Sequence, residues 1–194
     1  VRLITNLIVI CMIAAAVGLG LTFYAVRHPL ALDVIKDGAW SAIANEGGPD
    51  VDAYALAALA HRGEAPLSIA DGLAFRTSED DDGNPLSGAC SYVIFGTVPP
   101  VRVWSLAAFD TSGKPFANPA QRFGYSSADA MRTSEGTIRV ALSSDAQPGD
   151  WIPVAPDATG ITLELRLYDT TAAAISGGRS APELPAITRT GCRS

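Results

Sequence analysis

Residues 3–26, LITNLIVICMIAAAVGLGLTFYAV, carry no charged side chain. As a helix rising 1.5 Å per residue this run spans about 36 Å. That is enough to cross a ~30 Å hydrocarbon core with some tilt. A cleaved signal peptide is the rival reading, but its apolar core is usually ~7–15 residues followed by a small-x-small site. Here the run is longer, and its end, TFYAVRHP, offers no such site. A lipid-modified Cys11 is rejected, because Val9 and Ile10 precede it and nothing small stands beside it. Phe23 and Tyr24 suit a headgroup boundary, and Arg27 is placed to snorkel. The sequence therefore predicts one transmembrane anchor over residues 3–26. Ala16 and Gly20 form a small-xxx-small spacing of the kind that packs helices in membranes, although small lipid-facing residues are the simpler reading. Arg2 and the amino terminus balance Arg27 and Lys36, so flanking charge leaves the orientation tied.

The rest of the chain has one globular domain's worth of residues. After residue 26 there are 13 basic residues against 20 acidic, a net of −7. Nucleic acid demands a basic surface, so no nucleic-acid partner is expected. The acidic balance also disfavours peripheral docking on anionic lipid.

Residues 27–50 read as a juxtamembrane connector, punctuated by Pro29 and Gly47-Gly48-Pro49. Within it, Leu30 to Ala44 has the pattern of a short amphipathic helix. A second helix is predicted over 50–62, capped by Asp50 or Asp52 and ended by Gly63. Residues 51–194 form the expected domain. Beyond Pro66, short apolar or alternating runs separated by turn clusters predict strands at 73–77, 88–97, 101–109, 137–143, 161–168 and 184–189. In 161–168 the leucines Leu163, Leu165 and Leu167 share a face with Ile161, while Thr162, Glu164, Arg166 and Tyr168 share the other, the mark of a half-buried antiparallel strand. Glu164, with no evident partner, is expected to face solvent. A short helix is expected from about Ser126 through Met131. The fold class is mainly β, a sandwich or jelly roll.

Cys90 and Cys192 are the two cysteines outside the anchor. In an exported domain such a pair predicts one disulfide. It would close a loop of about 100 residues, worth ~4.7 kcal/mol on the chain-entropy model. The alternative is a buried thiol and an exposed one. A bridge implies an oxidising space and breaks the tie in orientation: N-terminus inside, domain outside.

Motifs for chemistry are scarce. His28 and His61 are the only histidines, and neither stands near a G-x-S-x-G elbow, which does not occur. There is no HExxH, P-loop or dinucleotide fingerprint, and no Cys/His cluster for zinc. Neither a metal nor a cofactor is expected. Residues 78–83, SEDDDG, mimic part of a calcium loop, but Ser78 stands at the first ligand position and Ala89 at the twelfth, so an acidic turn is the better reading. The most suggestive set is polar and aromatic: Trp104, Arg122, Tyr125, Trp151, Arg166 and Tyr168. Arginine stacks on rings and grips carboxylates. Such a set can line a glycan or peptide groove, or close one end of a sandwich.

Four segments carry a family likeness: Gly88–Asp110 (GACSYVIFGTVPPVRVWSLAAFD), Asn118–Tyr125 (NPAQRFGY), Asp150–Pro156 (DWIPVAP) and Leu163–Tyr168 (LELRLY). In this order they resemble the DUF1214 family, over roughly residues 54–175. Tyr54 through Leu67 resembles a short, single-span alphaproteobacterial subgroup. The resemblance implies a jelly-roll-like antiparallel β-sandwich with one or two short helices, and no established activity. Many family members carry a DUF1254 module upstream. Here a membrane helix stands in that place, so the resemblance implies a separate DUF1254-type partner. The expectation is a bacterial inner-membrane protein with a periplasmic binding or assembly domain. An envelope enzyme or carbohydrate-binding module using the Trp/Arg/Tyr groove is the alternative.

Overall fold

The computed structural model describes residues 2–27, 34–43, 46–48, 51–63, 65–68, 71–170 and 183–193. The apolar run forms helix α1 (Arg2–Arg27), none of whose residues is buried. It is long and apolar enough to cross a membrane. Helix α2 (Ala53–Arg62) follows from its caps. The Asp52 carboxylate accepts from the Tyr54 and Ala55 amides at 3.0 and 3.2 Å. Gly63 ends the helix in the left-handed region, φ 68°, where a residue without Cβ is favoured.

Ten strands make the rest: β1 (Val34–Asp37), β2 (Trp40–Ile43), β3 (Gly72–Thr77), β4 (Cys90–Gly96), β5 (Val103–Phe109), β6 (Gly124–Ser126), β7 (Ile138–Ser143), β8 (Asp150–Pro153), β9 (Thr162–Tyr168) and β10 (Ala186–Cys192). They form two sheets, β1-β2-β3-β9-β5-β6 and β10-β4-β7-β8. The chain is a mainly β protein, a β-sandwich with a helix before it. Pairing is antiparallel except for β7 with β8, which is parallel. The core lies between the sheets. Leu163, Leu165 and Leu167 of β9, Leu106 of β5 and Phe75 of β3 meet Tyr92, Ile94, Val140, Leu142 and Ile187 of the other sheet, none more than 2% exposed. Each such side chain contributes about 1.5–3 kcal/mol by leaving water. The alternation in β9 is therefore as its residues predict.

The predicted helix over Leu30–Ala44 is instead the β1–β2 hairpin where that stretch is described; residues 30–33 and 44 lie outside the described residues. Asp37 pairs with Trp40 across a two-residue turn. Gly38 takes φ 54° there, which suits a tight hairpin turn. Tertiary contacts hold the hairpin in place. Trp40, 2% exposed, donates its indole N–H to the Pro185 carbonyl at 2.8 Å. The Asp37 carboxylate accepts from the Leu184 amide at 2.8 Å. Strand β2 then joins β3 through Ser41 and Arg76, so the stretch read as connector extends the first sheet.

The short helix expected through Met131 is also absent. The Asp129 and Ala130 amides both donate to the Ser126 carbonyl, and the Ser126 hydroxyl is 2.6 Å from Asp129 Oδ2. Such local side-chain bonds favour a single turn over a helix.

The acidic 78–83 segment is a hairpin turn. Asp80 is buried; its Oδ1 accepts from the Asn84 amide at 2.8 Å and its Oδ2 from Arg189 Nη2 at 2.6 Å. Asp81 accepts from the Ile187 amide at 2.7 Å. These carboxylates already hold protein donors, which is the structural reading of the motif. Cys90 and Cys192 face one another in the β4–β10 register and form a disulfide across 102 residues of sequence.

Candidate functional site

The first sheet carries a line of charges on its outer face. Because β9 buries its odd-numbered leucines, Glu164 and Arg166 point the other way. The register sets Arg76 of β3 directly opposite Glu164. Arg76 Nε lies 2.8 Å from Glu164 Oε2, and Arg76 Nη1 lies 2.8 and 3.0 Å from the two oxygens of Glu46. Arg166 Nε donates to the other oxygen of Glu164. The result is a continuous chain, Glu46–Arg76–Glu164–Arg166. Its carboxylates are 6% and 8% exposed, while both guanidinium groups are more open.

The electrostatics are balanced. Burial alone would push the Glu164 carboxyl up, but hydrogen bonds from Arg166 and Arg76 outweigh it and hold it below its ordinary value. Burial would lower Arg166, yet its bond to Glu164, with Tyr168 alongside, raises it further. Both groups are ionised over the whole physiological range. Small residues surround Arg166: Ala74 and Ser105 are its cross-strand neighbours. Glu164 has Ala107 beside it, and Ala107 pairs with Gly124. A Cβ on Gly124 would stand 2.4 Å from the Leu106 carbonyl oxygen, so bulk is excluded at that spot.

Over Arg76, Glu164 and Arg166 opens a cleft of ≈ 560 Å³. The end of α2 at Gly63 and the turn Asp110–Gly113 form its rim. That turn is stiff: Asp110 Oδ1 accepts from the Ser112 amide and hydroxyl and from the Lys114 amide at 2.7–2.9 Å. These bonds, the Lys114 amide first, hold the Asp110 carboxyl below its usual value. The cleft offers fixed donors and acceptors to a polar ligand. Among the described residues, no three His, Cys, Asp or Glu side chains gather as metal ligands.

The six polar and aromatic residues singled out in the sequence fall in three places. Trp104 is in the core at 2% exposure. Arg122, Tyr125 and Trp151 sit where β6 of one sheet meets β8 of the other. The Tyr125 hydroxyl accepts from the Trp151 amide at 2.9 Å and donates to its carbonyl at 3.4 Å. The Trp151 indole donates to the Ser143 carbonyl at 2.8 Å, and Arg122 lies over the Tyr125 ring, 5.6 Å from its centroid. Arg166 and Tyr168 belong to the outer face. The six therefore do not form one groove. Sequence reasoning missed Glu46 and Arg76, and it placed Glu164 in solvent; Glu164 is instead buried between two arginines. The available signal was the alternation of β9, which put a carboxylate two residues from an arginine on one face.

A family model described as "Protein of unknown function (DUF1214)" matches residues 71–172. The chain belongs to the DUF1214 family. The match takes in the floor of the cleft, from Arg76 to Arg166, and both halves of the β6–β8 joint. It begins after α2, and Cys192 lies beyond it. The crystal structure of the VPA0106 protein from Vibrio parahaemolyticus is similar, with TM-score 0.58 and 19% identity over 73% of this chain. That likeness concerns the fold alone. This DUF1214 chain spans 36% of the Vibrio protein. A Burkholderia cenocepacia crystal structure matches with TM-score 0.46 and 16% identity, covering 89% of this chain and 41% of its own. No curated protein matches the chain.

Proposed function

We propose that this DUF1214 protein is a single-span protein of the bacterial inner membrane, with residues 3–26 of α1 retained as a signal-anchor and the β-sandwich held in the periplasm as a binding and assembly module. The observation that carries the reading is the joining of an uncharged membrane-length helix to a domain cross-linked by Cys90–Cys192. A disulfide of this kind persists in an oxidising compartment. On that topology the sandwich, from β1 onward, is the periplasmic domain, and a separate DUF1254-type chain is the partner.

A C-terminal alkaline phosphatase fusion, which is active only after export, tests the orientation. It is expected to be active, whereas a fluorescent C-terminal GFP fusion with inactive phosphatase would overturn the reading. The mass of the mature protein tests retention, because a protein lacking its first 26 residues has been cleaved. Co-expression with a DUF1254-type chain from the same genome tests the partner: purification of each chain alone in mild detergent would count against it.

A second reading is ligand binding in the cleft, favoured by the exposed guanidinium edge of Arg166 among small neighbours. It retains Arg166 from the Trp/Arg/Tyr groove of the carbohydrate-binding or enzyme alternative; Tyr168 shares the strand face of Arg166 but does not line the cleft. Arg166→Ala is expected to abolish oligosaccharide binding while leaving the fold intact; unchanged binding would remove the cleft from consideration.

A further inference from the structure

Helix α2 is apolar on both sides. Ala58 and Leu59 face inward, at 1% and 4% exposure. Ala53, Leu56, Ala57 and Ala60 are exposed, and their spacing of i, i+3, i+4 and i+7 puts them on one face. Leu56 is 48% exposed, and Tyr54 on the flank is 46% exposed. No charged residue stands between Ala53 and Ala60, and the helix carries its charge at Arg62, its last residue.

The position of this face decides what covers it. Helices α1 and α2 touch. Among the described residues of α1, every one is exposed except Ala25 and Val26, which are partly covered. The contact is therefore at the C-terminal end of α1. That end also carries Phe23, Tyr24 and Arg27, with the Arg27 guanidinium 4.2 Å from the centroid of the Phe23 ring. An aromatic pair beside a snorkelling arginine marks a headgroup boundary. Helix α2 thus meets α1 at the end that carries this boundary.

We propose that α2 is an interfacial helix whose Leu56 face, flanked by Tyr54, lies in the headgroup region of the bilayer that α1 crosses. The proposal rests on the reading of α1 as a membrane anchor. A helix with an apolar face and an aromatic flank partitions to this depth. Attraction here is apolar rather than electrostatic, since Asp52 caps the N-terminal end and Arg62 is the one charged residue of the helix, so zwitterionic lipid suffices. Gly63, immediately after α2, forms part of the rim of the Glu164 cleft. A docked α2 would set the sandwich at a fixed tilt with that cleft close to the membrane surface.

The test uses the full chain with Cys11→Ser, reconstituted in phosphatidylcholine vesicles. Spin labels are attached at single cysteines, Leu56→Cys or Ala60→Cys on α2, with Phe23→Cys and Glu135→Cys for comparison. Labels at 56, 60 and 23 are expected to collide several-fold more often with oxygen than with a water-soluble nickel chelate, and the label at 135 to show the reverse. Labels at 56 and 60 that behave like 135, while 23 stays lipid-exposed, would overturn the interfacial helix and leave the anchor standing. Labels at 56 and 60 shielded from both reagents would mean that protein, such as a second copy, covers the face, and would also overturn it. A water-exposed label at 23 would remove the anchor and the proposal together.

Discussion

Arg76 and Glu164 stand directly opposite one another on adjacent antiparallel strands, with Nε 2.8 Å from Oε2. The pair is the centre of a four-residue chain in which each carboxylate serves two hydrogen bonds or more. Removing Arg76, which bridges both carboxylates, strands charge that cannot be fully rehydrated. Arg76→Ala is therefore expected to destabilise the domain by about 2 kcal/mol, below the ~3–5 kcal/mol of a fully buried pair because its guanidinium is partly open to solvent. Urea unfolding of the full chain in detergent measures this, and a change of under about 0.5 kcal/mol would contradict it.

Acid should weaken the fold at two carboxylates. Glu164 and Asp80 both have carboxyl groups held below their ordinary values in the fold. Burial opposes this for Asp80, and the Asn84 amide and Arg189 overcome it. The unfolded chain then takes up protons first as pH falls. Their contribution is complete above the unfolded value, near pH 4, and is lost as pH drops through the lower folded value. Denaturation midpoints are expected to be flat from about pH 7 to 5 and to fall below about pH 4. Glu164→Gln should flatten the acid limb; an unchanged limb would remove Glu164 as a contributor.

The disulfide joins β10, an edge strand, to β4 across 102 residues. Reduction, or Cys90→Ser with Cys192→Ser, is expected to cost about 2–5 kcal/mol, chiefly by freeing the unfolded chain. The shift in denaturation midpoint with and without reductant checks it. The double serine variant should show no reductant effect.

Three substitutions separate core from joint in the polar and aromatic set. Trp104→Ala should cost about 3–5 kcal/mol, as for any large core ring. Tyr125→Phe should cost about 1–2 kcal/mol by stripping the two bonds between β6 and β8, and hydrogen exchange at the Trp151 amide should quicken locally. Arg122→Ala, at an exposed stack, should fall within about 0.5 kcal/mol of the parent. Equal losses at all three positions would argue that they act as one unit.

Much of this molecule was legible in order along the chain. Its long uncharged run could only be satisfied by a helix, because every backbone polar group must be paired internally if it enters lipid. The alternation of residues 161–168 specified a strand with one buried face, and Gly63 specified the end of α2, since caps are local chemistry; its start was left between Asp50 and Asp52, and the structure chooses Asp52. The cysteine count pointed to Cys90–Cys192. Local pattern failed at residues 34–43: apolar spacing there suggested a helix, but Trp40 is held as a strand by a carbonyl 145 residues away. The Trp/Arg/Tyr set failed for the same reason. Residue type marks a group as able to stack or pair, while only strand register decides whether Trp104 faces inward, Tyr125 bridges two sheets, or Arg166 meets Glu164. The sequence by itself determined the apolar helix, the β class and the cysteine pair, because each depends on composition or near-neighbour spacing. Tertiary structure decided which charges share the outer face and which end of α1 meets α2, because those contacts join segments whose separation in sequence says nothing of their distance in space.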